Sequence, residues 1–149
     1  MLQRKQTLYL LFAIICTFVC SILPIGYITP QGMGADLTIY QLFIKGNCTS
    51  NTTWPLFVIL LCTYPLSICA IFMYKQRKKQ AKLCMATITI YLLWYAYYIY
   101  ATQAIFCKMG TVHLGYAAIL PILAIIFCLL ARKGIINDEK LIRSVDRIR

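Results

Sequence analysis

Charge is what this chain has least of, and negative charge least of all. Four Asp and Glu stand against fifteen Lys and Arg, and only 13 % of the residues are charged, where soluble domains carry about 25 %. With 61 % of its 149 residues apolar, a soluble fold could not cover its apolar surface with so few charges. The shortage excludes an ordinary soluble enzyme and makes lipid the solvent for much of the chain. A formal charge of +11 would by itself suggest nucleic acid. Here the cations lie in short segments separated by long uncharged runs, which membrane orientation requires and phosphate-backbone binding does not explain. Nucleic acid is therefore not an expected partner.

Other absences narrow the chemistry. The eight cysteines form no C-x-x-C pair, and no zinc-ligand, phosphate-loop, nucleophile-elbow or paired-carboxylate pattern occurs. No catalytic residue, metal or cofactor is expected. No Asp, Glu, Lys or Arg stands inside the uncharged runs, which argues against proton- or cation-coupled transport, because such proteins keep an ionisable group within the membrane. The single histidine, His113, reads as an interfacial hydrogen-bonding group.

What remains is four apolar runs, at residues 7–28, 54–74, 83–105 and 111–131. At 1.5 Å per residue each can cross a hydrocarbon core of about 30 Å as a helix. The first is too long for a signal peptide and has no small-x-small cleavage site after Pro24, so it reads as an uncleaved span. The fold class is an all-α membrane protein, a four-transmembrane-helix bundle over residues 1–131 with a basic tail, 132–149. An outer loop spans 29–53, and its Leu37–Ile44 stretch suits a short strand or an interfacial helix equally. Cys107–Gly110 suits the turn of a tight helical hairpin. Pro121, near the middle of the fourth run, predicts a kink whose freed carbonyl a neighbouring helix satisfies. In the tail, Asn137 is a good N-cap and Asp138 and Glu139 suit a first turn. Leu141, Ile142, Val145 and Ile148 then share one flank and Lys140, Arg143, Asp146 and Arg147 the other, the pattern of a short amphipathic helix.

Orientation follows from the cations. Thirteen of the fifteen lie before residue 6, in the 75–82 connection or in the tail; Lys45 and Lys108 alone lie on the other side. The positive-inside rule then places both termini in the cytoplasm, N-in/C-in.

Three groups are candidate sites. Lys75, Arg77, Lys78, Lys79, Gln80 and Lys82, with Arg143 and Arg147, form a basic cytoplasmic face suited to membrane lipids with anionic headgroups, or to a cytoplasmic or membrane protein partner. On that reading the protein is a non-enzymatic scaffold or lipid-binding protein. Six aromatic rings crowd residues 91–100, and Tyr91, Trp94 and Tyr95 stand where their polar atoms need partners. They serve helix packing, or with Gln103 they line a site for a flat apolar ligand such as a quinone or a lipid chain. Cys48 and Cys107 fall in outer loops, where an oxidising periplasm lets thiols pair; a thiol redox role is the third reading, although the C-x-x-C of the bacterial disulfide-bond membrane oxidases is missing. The other cysteines read as small packing residues.

Three stretches carry a resemblance. Met1-Leu2-Gln3-Arg4-Lys5-Gln6-Thr7-Leu8-Tyr9-Leu10-Leu11 opens the chain. Tyr74-Lys75-Gln76-Arg77-Lys78-Lys79-Gln80, running on to Leu83-Cys84, stands at its centre. Ala131-Arg132-Lys133 and Asp138–Arg149 close it. Together they resemble a family of small four-span inner-membrane proteins of Bacteroidota classed as a domain of unknown function. The resemblance implies a bacterial inner membrane and lends no substrate or catalytic residue. It also implies that the sequons Asn47-Cys48-Thr49 and Asn51-Thr52-Thr53 carry no glycan, since they matter only in a source that glycosylates asparagine.

A topology reporter fused after Arg149 is expected to read cytoplasmic and one inserted beside Lys45 external; an external C-terminus would contradict the N-in/C-in orientation.

Overall fold

Buried side chains recur along every long helix in steps of three and four residues, and this period organises the molecule. The computed structural model describes residues 3–30, 35–45, 53–73, 76–108 and 110–146. Helix α1 is Gln3–Ile22; α2, Trp54–Leu61, continues past Cys62 into α3, Thr63–Phe72; α4 is Arg77–Ala104 and α5 Leu120–Asp146. Counting α2 and α3 as one, these are four helices long and apolar enough to cross a membrane. The buried seam of α1 is Gln6, Leu10, Ala13, Thr17 and Cys20. That of α2 and α3 is Leu56, Leu60, Thr63, Ser67 and Ala70. On α5 it is Ala124, Cys128, Ala131, Ile135 and Asp138. Steps of three and four average 3.5 residues, the repeat that keeps one stripe facing its neighbours in a helical bundle.

The seams are made mostly of small side chains, which let backbones approach where no hydrophobic effect drives helices together. Cys20, Cys84 and Cys128 are fully buried among them, as packing residues should be. The other faces carry exposed large apolar groups such as Phe18, Phe72 and Leu92, suited to lipid. Helix α1 packs chiefly on α5, α5 on α4, and α4 on α2 and α3; α1 meets α2 and α3 more lightly.

Several expectations change. The connection before the third helix is shorter than its basic run suggests, because α4 already begins at Arg77 and the cations form its first turns. The tail does not form a separate helix either: α5 runs unbroken from Leu120 to Asp146, with Asn137 in its interior rather than at a cap. Gly134 is the one weak helix former in Ala131–Ile136 and does not end the helix, because the seam continues through Ile135 to Asp138, whose carboxylate accepts a hydrogen bond from Gln6 Nε2 on α1. Burial of that flank outweighs a favourable N-cap.

The span formed by α2 and α3 is interrupted at Cys62, where its backbone hydrogen bonds change. Pro65 has no N–H to give Leu61. Just before it the Cys62 N–H reaches Val58 O at 3.1 Å, and Thr63 Oγ1 donates to Leu60 O at 2.6 Å. The buried spacing passes through this break without a slip.

At the end of the bundle opposite the termini sits a four-stranded antiparallel sheet in the order β3-β2-β1-β4. Its strands are β1 Gly26–Thr29, β2 Leu37–Ile39, β3 Ile44–Lys45 and β4 Thr111–Leu114. Of the two readings of Leu37–Ile44, the strand is realised, as a hairpin pairing Ile39 with Ile44. The expected helical hairpin at Cys107–Gly110 is not. Phe106–Lys108 is a 3₁₀ turn and Thr111–Leu114 pairs with β1, placing Val112 opposite Ile28. A strand edge leaves N–H and C=O groups unpaired, and β4 satisfies that of β1. Ile25, Ile28, Ile39 and Ile44 point from the sheet into the bundle, against Leu56, Leu60, Trp94 and Phe106.

This pairing moves the start of the fourth span, so Pro121 is the second residue of α5 and not a central kink. Ala117 O, the carbonyl that Pro121 cannot serve, accepts from the Leu120 N–H as well as from Cys20 Sγ of α1 at 3.4 Å, so the proline leaves no carbonyl without a backbone partner.

Gly110 makes the β4 turn possible. Its φ is +156°, and a Cβ there would collide with the Thr29 carbonyl. Gly110→Ala is expected to cost more than about 1 kcal/mol, read as a fall of about 2–4 °C in Tm for each kcal/mol in a thermal melt of the purified protein.

Candidate functional site

Where the 3₁₀ turn Tyr116–Ile119 replaces the first turn of a fourth long helix, the chain stands away from α4 and leaves a groove. Its volume is about 690 Å³. The α4 wall carries Tyr95, Tyr98, Ile99, Thr102 and Gln103, and the opposite wall runs from Val112 on β4 through Tyr116 to Ile119 and Ile122 on α5. The lining is overwhelmingly apolar. Of the three phenols in the lining, two are engaged elsewhere, Tyr95 donating to Ala118 O at 2.6 Å and Tyr98 to Ile25 O at 3.2 Å, and the third, Tyr116, stands exposed at the mouth. Thr102 Oγ1 donates to Ile99 O at 2.7 Å. The groove therefore shows ring and aliphatic carbon over its length, with the exposed Gln103 amide at the rim. Leu114 and Tyr116 are 75 % and 93 % exposed, so it opens on the surface of the molecule.

Behind the groove lies a buried cluster that sets its back wall. Trp94 stacks on Tyr98 with centroids 5.3 Å apart and planes 7° from parallel, and meets Tyr95 edge-on at 5.0 Å. The indole nitrogen donates to Gln41 Oε1 at 3.2 Å. Gln41, in the turn between β2 and β3, is fully buried; its Nε2 lies 3.2 Å from Cys20 Sγ and 3.5 Å from Cys20 O. One amide thus ties the sheet to α1 and α4 together. An unpaired amide in an apolar core costs roughly 1–3 kcal/mol, so the bonds hold the hairpin in place as much as they stabilise it.

A family model described as a domain of unknown function, DUF4293, matches residues 2–148. The chain belongs to this family. A search of curated proteins finds no match.

In this DUF4293 chain the residues expected to act together separate into two sets. Tyr95 and Gln103 line the groove. Tyr91 and Trp94 are fully buried in the bundle and do not reach it. Tyr98, Ile119 and Ile122 were not expected; the signal that could have shown them is Gly115, a poor helix former just inside the fourth apolar run, and its meaning depends on β4 pairing with β1. Gly115 is there for a close approach, its N–H donating to Ile25 O at 2.9 Å, with Ile25 C only 2.8 Å from where a Cβ would stand.

The basic residues gather at the end that bears the termini. Lys78, Lys79 and Lys82 are exposed and Arg77 is half-buried. Gln80 differs from them: it is 4 % exposed and lies on the α4 seam, so it serves the bundle and is no surface contact. Lys75, Arg147 and Cys48 lie outside the described residues, as does the Arg143 side chain; Cys107 is exposed on the 3₁₀ turn. His113 is exposed on β4, its Nε2 3.4 Å from Thr29 Oγ1. Among the described residues, no three His, Cys, Asp or Glu come together as metal ligands.

Gln41→Leu is expected to lower stability by about 1–3 kcal/mol, because the Trp94 N–H and Cys20 lose their partner. In the double variant with Trp94→Phe the loss should be smaller than the sum of the single losses; strict additivity in a denaturation series would contradict the bond.

Proposed function

We propose that the protein is a non-enzymatic, lipid-binding component of a bacterial inner membrane, with both termini cytoplasmic, and that its groove holds the apolar chain of a membrane lipid or an isoprenoid quinone. The observation that carries this is the groove between α4 and the start of α5, about 690 Å³ in volume. Ligand pockets of roughly 300–1,000 Å³ with predominantly apolar walls and few polar groups suit small apolar molecules. The Tyr95 and Tyr98 hydroxyls are bonded to backbone carbonyls, so the inner walls offer dispersion contacts along a chain. The Gln103 amide at the rim is placed for one hydrogen bond to an ester or quinone oxygen. No group in the groove is a nucleophile beside a base, so the reading is binding and not turnover.

The opposite end supports the same reading with different chemistry. Helix α4 begins with Arg77, Lys78 and Lys79 and has no acidic residue in its first turn. Cations are unfavourable at a helix N-terminus. Anionic headgroups at the cytoplasmic surface offset that, each basic residue gaining on the order of 1 kcal/mol. Orientation is supported by the segregation of thirteen of the fifteen Lys and Arg to that side.

The test is purification in a mild detergent followed by solvent extraction, with phospholipid and quinone measured separately. The wild-type protein is expected to retain one such molecule, and the chromatographic arm says which. Ile119→Trp, which fills the groove from its lipid-facing wall, is expected to cut retention about tenfold, equivalent to about 1.4 kcal/mol. Equal retention by the two proteins defeats the groove reading. In the same extracts, replacing Lys78, Lys79 and Lys82 with Gln should lower the anionic share of co-purified lipid; an unchanged share removes the basic face from the proposal.

A further inference from the structure

The two edges of the sheet are built differently. At one side β3 is only two residues long and carries the exposed Lys45; a short strand with a charge is one of the ways proteins keep an edge from pairing. At the other side β4 runs Thr111-Val112-His113-Leu114, with no lysine and no proline. Its register with β1 is unbroken from Thr111 opposite Thr29 to Leu114 opposite Gly26, so no bulge turns the edge away.

The phase of the ladder shows which backbone groups this edge offers. The Gly115 N–H donates to Ile25 O at 2.9 Å. Hydrogen-bonded and non-hydrogen-bonded pairs alternate along antiparallel strands, so in the same register His113 exchanges bonds with Tyr27, and Thr111 with Thr29. Val112 and Leu114 then turn their N–H and C=O groups outward. β4 is the last strand of the sheet, and no hydrogen bond from another described residue reaches these four groups.

Their depth makes the vacancy costly. Val112 and Leu114 stand beside Ile99, Thr102 and Gln103 of α4, and neighbouring β1 is preceded by Ile25, whose carbonyl accepts from Tyr98 OH. The edge is therefore level with the last two turns of a helix long and apolar enough to cross a membrane. Unpaired backbone groups are unfavourable in hydrocarbon, and a further strand would satisfy them.

A second copy of this chain supplies a fitting strand. Two antiparallel β4 strands related by a two-fold axis at His113 set Val112 opposite Leu114 of the second copy, and Leu114 opposite its Val112. Both are hydrogen-bonding pairs, so every outward group of both edges is satisfied. That axis is normal to the sheet. Because the sheet lies across the end of the bundle, with Ile28 and Ile39 against its core, the axis runs along the bundle. The two copies thus cross the membrane in the same direction and bring their edges to the same depth. β4 carries no Lys, Arg, Asp or Glu, so like charges do not meet across the pair.

We propose that the protein forms a two-fold dimer in the membrane, joined edge to edge through β4 into one continuous sheet. The contact is an isologous one and does not depend on what the groove holds.

Disulfide trapping in native membranes tests it, using the full chain with Cys48 and Cys107 replaced by Ser. In the dimer the two His113 residues form a non-hydrogen-bonded pair with Cα atoms about 4.5 Å apart, within disulfide reach. The two Thr111 residues lie about 14 Å apart at 3.4 Å per residue, which a disulfide cannot bridge. Oxidation is expected to turn His113→Cys into a covalent dimer and to leave Thr111→Cys monomeric. Val112→Pro removes an outward N–H and no bond to β1. It is expected to convert the wild-type dimer into a monomer, read by light scattering on the protein in mild detergent. Trapping of both cysteine variants, of neither, or of His113→Cys to a different protein overturns the proposal. So does a dimer that survives Val112→Pro, which would place the contact on another face. Should Val112→Pro not fold, the two cysteine variants decide alone.

Discussion

Everything in this molecule depends on how closely its helices can approach. Two helices in lipid gain nothing from hiding apolar surface from each other, because the surrounding tails are as apolar as leucine; contact area and internal hydrogen bonds must do the work. The seams supply both. Ala13, Ala70, Ala124 and Ala131 are fully buried, together with Cys20, Cys84 and Cys128. Every polar side chain the long helices bury also lies on a seam, from Gln6 and Asp138 at one end to Thr17, Thr63 and Ser67 further in. With charge so scarce in the spans, hydroxyls, amides, a thiol and the one carboxylate of Asp138 supply directional contacts among the described residues, and they appear where helices touch.

The two ends of the bundle are closed differently. Near the termini, Gln6 and Asp138 join α1 to α5, the first helix to the last. At the other end a sheet built from the two outer connections covers the core, and Gln41 reaches from it to Trp94 and Cys20. The groove is a by-product of that cover. Once Thr111–Leu114 is taken into the sheet, α5 cannot start until Leu120, and the short turn between them leaves α4 partly uncovered beside Tyr95 and Gln103.

Much of this was legible in the sequence, for identifiable reasons. The four apolar runs were, because a run either can or cannot cross hydrocarbon. So was the need of the central rings for polar partners: Trp94 and Tyr95 found Gln41 and Ala118 O. The partner residues were not legible, since Gln41 lies 53 positions from Trp94 and looks like an ordinary loop glutamine. Gln80 misled for a related reason. In a run of Lys and Arg it reads as surface, and only the seam of α4 shows that it points inward. The tail misled through a good N-cap signal at Asn137, which a helix already propagating from Leu120 passes through.

The sequence alone determined how many helices can span a membrane, and where the positive charge gathers, because insertion depends on composition summed over a segment and hardly on its neighbours. Tertiary structure decided the sheet, the starting point of α5, the helix order and the groove. Each of these rests on pairing between residues far apart in the chain: Ile28 with Val112, Gln41 with Trp94, Cys20 with the carbonyl of Ala117. A backbone group shows locally only that it needs a partner; which partner it gets is settled when the chain closes on itself.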